Sequence, residues 1–193
     1  MTQLIKFLII ALLGFIFCTA CQEQVVDASL NQELSSQKTL SIAELQGTWK
    51  LNSTLLGDAL ELPCYEARGT KDSLSKDITL VITQDAAEPS TQKIILNGQA
   101  PINLYFASAE ILSYSSSIQT GTLKVSALGS TKMAGSYELL ACESRIYNFI
   151  ETAKDFRIIV DKKGQKTLYW GVINKGNSSL MYAGNYLIFE KIK

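Results

Sequence analysis

The sequence predicts an α+β fold: a curved, mainly antiparallel β-sheet or partial barrel packed on one main helix. Three observations carry this expectation. After residue 41 the chain is a series of short runs rich in β-branched and aromatic residues, separated by turn residues. One segment, residues 137–154, instead spaces its apolar residues at three and four. The 193 residues, less a leader and a tether, leave enough chain for one core-bearing domain over 41–193.

Residues 1–20 read as a secretion signal. Lys6 supplies the positive start, and Phe7 to Phe17 is an apolar run broken only by Gly14, too short to span a bilayer comfortably. Thr19 and Ala20 then precede Cys21. Small residues directly before a cysteine resemble a lipobox, with Cys18 at the position usually held by Leu. The resemblance implies that Cys21 becomes the mature N-terminus, with a diacylglycerol thioether on its sulfur and an acylated amine. At about 0.8 kcal/mol per buried CH₂, several acyl chains hold far better than one. The alternative is an ordinary cleaved signal and free secretion. Gln22, where Asp would favour inner-membrane retention, points to the outer membrane of the cell envelope by analogy with enterobacterial sorting. Residues 21–40 are the lipidated N-terminus and a polar tether, which at up to ~3.3–3.6 Å per residue reaches several tens of Å.

The folded part begins near Ser41. Gly47–Leu51 alternates, with Trp49 and Leu51 on one face and Thr48 and Lys50 on the other. Further strands are expected over Asp77–Thr83, over Lys93–Leu96 (ended by Asn97-Gly98), over Ile102–Phe106 and over Thr122–Val125. Phe156–Val160, Leu168–Trp170 and Tyr186–Phe189 complete the set, and Asp161–Gly164 reads as a hairpin loop. Residues 58–92 read as loops on either side of one strand. In the helix, Leu139, Cys142, Ile146, Phe149 and Ala153 form one apolar stripe, Ser136 suits the N-cap and Glu138 the first turn.

Composition narrows the function classes. The precursor holds 18 basic and 18 acidic side chains; loss of Lys6 with the signal leaves 17 against 18, a net charge of −1. That balance gives no electrostatic reason to expect nucleic acid. Histidine is absent, which removes Ser-His-Asp triads and His-containing metal sites together. The domain over 41–193 has no phosphate-binding glycine loop, nucleophile elbow or CxxC, the Cys18–Cys21 spacing belonging to the leader, and no cofactor or metal is implied. Two cysteines remain in the domain of an exported chain, Cys64 and Cys142. Compartment and parity favour a disulfide, worth about 4–5 kcal/mol in the chain-entropy model. Two buried thiols are the other reading, since cysteine is a common core residue.

The domain resembles the META/HslJ family, small envelope domains often carried on bacterial lipoproteins. Leu45, Gly47, Trp49 and Leu51 match an opening Leu-x-Gly-x-Trp-x-Leu. Gly98, Asn103 and Tyr105 match a central glycine-asparagine-aromatic motif. Thr131, Lys132, Met133 and Ala134 match a Thr-Lys/Arg-Met-Ala segment, and Glu143 ahead of Ile146 and Tyr147 matches an early glutamate of the following helix. The order covers about residues 41–193. Cysteines that the family often carries just before the asparagine and just after Met-Ala are replaced here by Ile102 and Gly135, and Pro101 stands for a usual glycine. The family is linked to heat-shock and antibiotic-tolerance contexts and brings no catalytic residues to carry over.

Each candidate residue has a functional and a structural reading. Trp49 could line a ligand mouth, but burial behaviour favours the core. Asn103 could touch a ligand, but Asn side chains more often satisfy a turn. Glu143 could act as an acid if half-buried, but a basic partner such as Lys132 or Arg145, or a backbone donor, is the commoner arrangement. The leading expectation is a non-enzymatic envelope lipoprotein, bound to the membrane through its lipid, that binds an envelope protein or small ligand. A lipocalin-like carrier of an apolar molecule would need an apolar pocket of roughly 300 Å³ or more. A carbohydrate-active hydrolase would need two carboxylates facing one cleft.

Overall fold

Alternation along β1 (Gly47–Gly57) sets the inside and outside of the molecule: Trp49, Leu51 and Leu55 are buried, while Lys50 and Asn52 face solvent. The computed structural model describes residues 42–65, 77–87, 92–115, 117–173 and 184–192, all within the compact unit Leu40–Lys193. The expected signal, the tether and Cys21 lie outside the described residues. After a short 3-10 turn (Ile42–Glu44) and β1, the strands are β2 (Ala59–Glu61), β3 (Thr79–Gln84), β4 (Lys93–Gln99), β5 (Leu104–Ser115), β6 (Thr120–Val125) and β7 (Gly129–Ser130). Helix α1 (Tyr137–Glu151) follows, then β8 (Asp155–Val160), β9 (Lys166–Ile173) and β10 (Gly184–Lys191).

Every pairing between these strands is antiparallel. The order β1-β3-β4-β5-β6-β8-β9-β10 closes on itself because β10 pairs with β1 along its whole length, from Trp49↔Lys191 to Gly57↔Gly184. The result, among the described residues, is an eight-stranded barrel with one α-helix. The α+β class with one helix stands, but the expected curved sheet or partial barrel is here a closed one. Closure depends on pairing the first strand with the last, and no local pattern reports such a pairing. It removes the exposed edges that an open sheet would leave.

Glycines sit directly opposite aromatic residues across neighbouring strands at Gly98↔Tyr105, Gly121↔Phe156, Gly171↔Tyr186 and Gly129↔Phe106. At each glycine an added Cβ would overlap the opposite ring or its Cα and Cβ. The bare backbone therefore makes room for the aromatic side chain, a device that suits strongly curved sheets. This corrects one expectation. Asn97-Gly98 does not end β4; the strand runs through it to Gln99, because Gly98 is there for close approach and not for a turn. Other boundaries differ too: β1 runs past Leu51 to Gly57, β5 spans Leu104–Ser115 rather than Ile102–Phe106, and Ala59–Glu61, read as loop, forms a short hairpin with β1. The Asp161–Gly164 loop is as expected, with Asp161 Oδ1 accepting from Lys163 N and Gln165 N and Gly164 at φ +82°.

The barrel interior is filled with side chains. Trp49, Tyr105, Phe156, Leu168, Trp170 and Phe189 belong to one continuous core. Helix α1 adds Leu139, Cys142, Ile146, Phe149 and Ile150 to the same core and packs against β9 and β10. Its N-cap is Ser136, whose side chain accepts from Leu139 N. Trp170 Nε1 donates to Ile150 O at the far end of the helix. Cys64 and Cys142, both buried, are joined in a disulfide that ties α1 to the chain after β2.

Candidate functional site

The bend at residues 101–103, just before β5, is where the motif residues converge. Glu143 is on the inward side of α1 and only 4% exposed. Its Oε2 accepts from the backbone amides of Ile102 (3.0 Å) and Asn103 (2.8 Å), and its Oε1 accepts from Asn103 Nδ2 (2.7 Å). A buried carboxylate holding three N–H donors is a strong, charge-assisted arrangement. Asn103 passes the connection on: its Oδ1 accepts from Thr131 Oγ1 (3.0 Å) and Met133 N (2.7 Å). Thr131 in turn exchanges bonds with Leu104, Thr131 N donating to Leu104 O and Leu104 N donating to Thr131 Oγ1. Three segments distant in sequence, residues 102–104, residues 131–133 and the helix, meet through the side chains of Glu143 and Asn103.

Tyr105 lies one step inward. Its hydroxyl donates to Thr79 O (2.8 Å), and its ring meets that of Tyr147 edge-on at 5.7 Å. Burial, and then the neighbouring Tyr147, hold the Tyr105 hydroxyl far above the ordinary tyrosine range. The Tyr147 hydroxyl faces Glu143 and Ser130, and burial followed by the Glu143 charge raises it too. Both rings therefore stay neutral, and neither is poised to exchange a proton near neutral pH.

Asn103, Tyr105, Thr131, Met133 and Glu143 are thus brought together. Trp49 is not bonded into that cluster. It shares a cross-strand row with it, Trp49↔Leu80↔Gly98↔Tyr105, three strands away. Its indole donates to Leu45 O (2.8 Å), and Lys191 Nζ stands 5.3 Å from the ring centre while donating to Gln46 O. Burial lowers the Lys191 pKa, with Lys166 adding to the effect. The structural readings of Trp49, Asn103 and Glu143 fit this geometry. Of the basic partners considered for Glu143, Arg145 instead stands 3.9 Å from Glu61 and Lys132 is exposed; backbone donors took the place.

The surface over the cluster was not picked out by sequence reasoning. Leu104 and Phe106 point outward from β5, at 54% and 55% exposed, beside Met133 at 59%. Leu104, Tyr105 and Phe106 are consecutive large side chains, and such a run does not show which of them face out. Among the described residues no group of acidic or cysteine side chains could hold a metal. An open surface groove of about 480 Å³ lies elsewhere, between the start of β1 and the end of β3, lined by uncharged residues including Gln46, Thr48, Thr83 and Gln84.

A family model described as META domain matches residues 38–176, which takes in every motif position from Leu45 to Tyr147. The chain belongs to the META domain family. The META domain match stops before β10, the strand that closes the barrel. A solved structure described as an NMR structure of the protein from Burkholderia xenovorans is similar, at 15% identity over 79% of this chain and 87% of that one, with a TM-score of 0.46. No curated protein matches. In this META domain the usual cysteine positions at Ile102 and Gly135 are still neighbours: a Cβ on Gly135 would stand 3.0 Å from Ile102 Cγ1 and 3.7 Å from its Cγ2. A large side chain against a glycine occupies the place of the two thiols.

Proposed function

We propose that this chain is a non-enzymatic lipoprotein of the bacterial cell envelope, anchored through Cys21 to the outer membrane, whose META domain serves as a rigid binding module under envelope stress. The observation that carries the reading is the complete internal use of Glu143. Its two oxygens accept three donors from the 102–103 bend, so the one buried carboxylate of the motif has a structural task. Among the described residues the other buried carboxylate, Asp155, accepts from Ile173 N on β9. The filled core leaves the lipocalin-like carrier without support in the described barrel, since Trp49, Tyr105, Phe156 and Phe189 stand where an apolar ligand would sit. The anchor rests on the Thr19-Ala20-Cys21 arrangement after an apolar leader.

Palmitate labelling in living cells tests the anchor: the native chain takes up label and fractionates with the outer membrane, and Cys21→Ser does neither. Crosslinking from the anchored domain, followed by mass spectrometry, tests the binding role and is expected to recover a defined envelope protein or small ligand. Turnover of a glycan by the purified protein, abolished by replacing a single carboxylate, would overturn the non-enzymatic reading.

A further inference from the structure

We infer that the outward face formed by Leu104, Phe106 and Met133 rests on the lipid surface to which the chain is anchored. The inference depends on the anchoring at Cys21 proposed above.

The face is apolar and rigid. Leu104 and Phe106 are two apart on β5 and lie on its outer side. Phe106 lies over Gly129 on β7, where an added Cβ would overlap its ring. Met133 cannot move freely, because its amide donates to Asn103 Oδ1, and Leu104 is bonded at both its amide and its carbonyl to Thr131. The buried chain Glu143–Asn103–Thr131 therefore fixes the backbone on which the exposed apolar side chains stand. Grouped apolar exposure on a rigid support marks an interaction surface. Lys132, exposed and next to Met133 in sequence, suits an interface between water and lipid, since lysine can keep its charge in the headgroup layer.

The occupant follows from where the chain outside the described domain ends. From Cys21 to the start of the domain is about twenty residues, which extended reach at most about 65–70 Å. Strand β1, at 11 residues, is about 36 Å long. The anchor can thus hold the domain against the bilayer in any orientation. It also turns contact with lipid into an intramolecular event at high effective concentration, so a small apolar face suffices where it would not for a free protein.

The test uses the full lipidated protein in vesicles of phosphatidylethanolamine and phosphatidylglycerol carrying brominated acyl chains. Phe106→Trp reports the face, and Lys162→Trp, in the exposed loop between β8 and β9, reports the opposite end of the barrel. The core tryptophans Trp49 and Trp170 give the same background in every variant. The added emission of Phe106→Trp should fall by about half or more, as expected for a ring buried 5–10 Å into the interface, while that of Lys162→Trp stays within about a tenth of its bromine-free value. Adding Leu104→Ser and Met133→Ser to Phe106→Trp should remove the quenching while the protein still floats with the vesicles. Flotation with equal quenching at both positions, or at neither, overturns the inference and leaves the anchor standing. Emission from Phe106→Trp that shifts with protein concentration in detergent overturns it in favour of a second copy. Protein that stays in the aqueous fraction with an unmodified Cys21 overturns the anchor and this inference together.

Discussion

The carboxylate of Glu143 accepts from the backbone amide of Asn103 at 2.8 Å, across 40 residues of sequence. This one relationship joins the helix to the bend before β5, and the bend in turn holds Thr131 and Met133. Its consequences, and those of the packing around it, can be measured.

Glu143→Gln should lower stability by about 2–4 kcal/mol. The neutral amide has a single acceptor oxygen, so either the bend amides or Asn103 Nδ2 must face an N–H₂ group and lose its bond. Urea unfolding followed by circular dichroism reads the change. A midpoint within about 0.5 kcal/mol of the native protein, the range of ordinary surface substitutions, would contradict the role given to the carboxylate.

Gly98→Ala should cost about 1–3 kcal/mol by overpacking, because the new methyl meets Tyr105 and the backbone of Thr79. The exposed neighbour Asn97→Ala should change stability by no more than about 0.5 kcal/mol. The reverse ranking would restore Asn97-Gly98 as a turn. Thermal unfolding of both variants decides between them.

Replacing Cys64 and Cys142 together by alanine should cost about 4–5 kcal/mol in the chain-entropy model, since the bond spans 78 residues of sequence. Both cysteines are buried, so thiol release by a reductant in the native protein should level off at the rate of opening once reductant is high. Thiol release that keeps rising in proportion to reductant at high concentration would show a surface bond.

Ile102→Cys with Gly135→Cys should form a second disulfide. The side chain of Ile102 already contacts the position where a Gly135 Cβ would stand, so the two positions are neighbours, and a disulfide needs Cβ atoms about 3.5–4.5 Å apart. A thiol assay in denaturant should find no free thiol in the oxidised mature domain. Two free thiols per chain would mean that the bend and the Met133 segment are farther apart than they stand here.

Alkaline stability follows from three tyrosines. Burial and the bond to Glu44 push Tyr114 up to about 12, and Tyr105 and Tyr147 are raised further. A pKa raised in the fold means that the unfolded chain releases its proton first. The stabilisation is therefore complete below about pH 10 and is lost as pH rises through 12. Titration at 295 nm should show these phenols ionising together with unfolding; separate ionisation of all three near pH 10 in the folded protein would refute the burial assigned to them.

How much of this could be read from the chain itself depends on distance along it. The alternation of Trp49 and Leu51 with Thr48 and Lys50, the helical stripe from Leu139 to Ala153, the Ser136 cap and the Asp161–Gly164 loop were legible, because each is set by neighbours a few residues apart. The Cys64–Cys142 pair was one of two open readings, and the motif residues were recognisable as a series. What they do together was not. Glu143 could have met Lys132, Arg145 or a backbone donor, and only the folded chain brings the amides of Ile102 and Asn103 to it. Gly98 looks the same in sequence whether it makes a turn or yields space to Tyr105.

The amino-acid sequence alone determined the strand and helix periods, the charge balance, the absence of histidine chemistry and the expectation of an exported, lipid-bearing chain. Tertiary structure decided that β1 and β10 close a barrel, that its interior is filled, and that Leu104, Phe106 and Met133 share one outer face. The reason is physical: side-chain period is a local property of the backbone, whereas closure, burial and hydrogen-bond partners depend on which distant segments the core brings into contact.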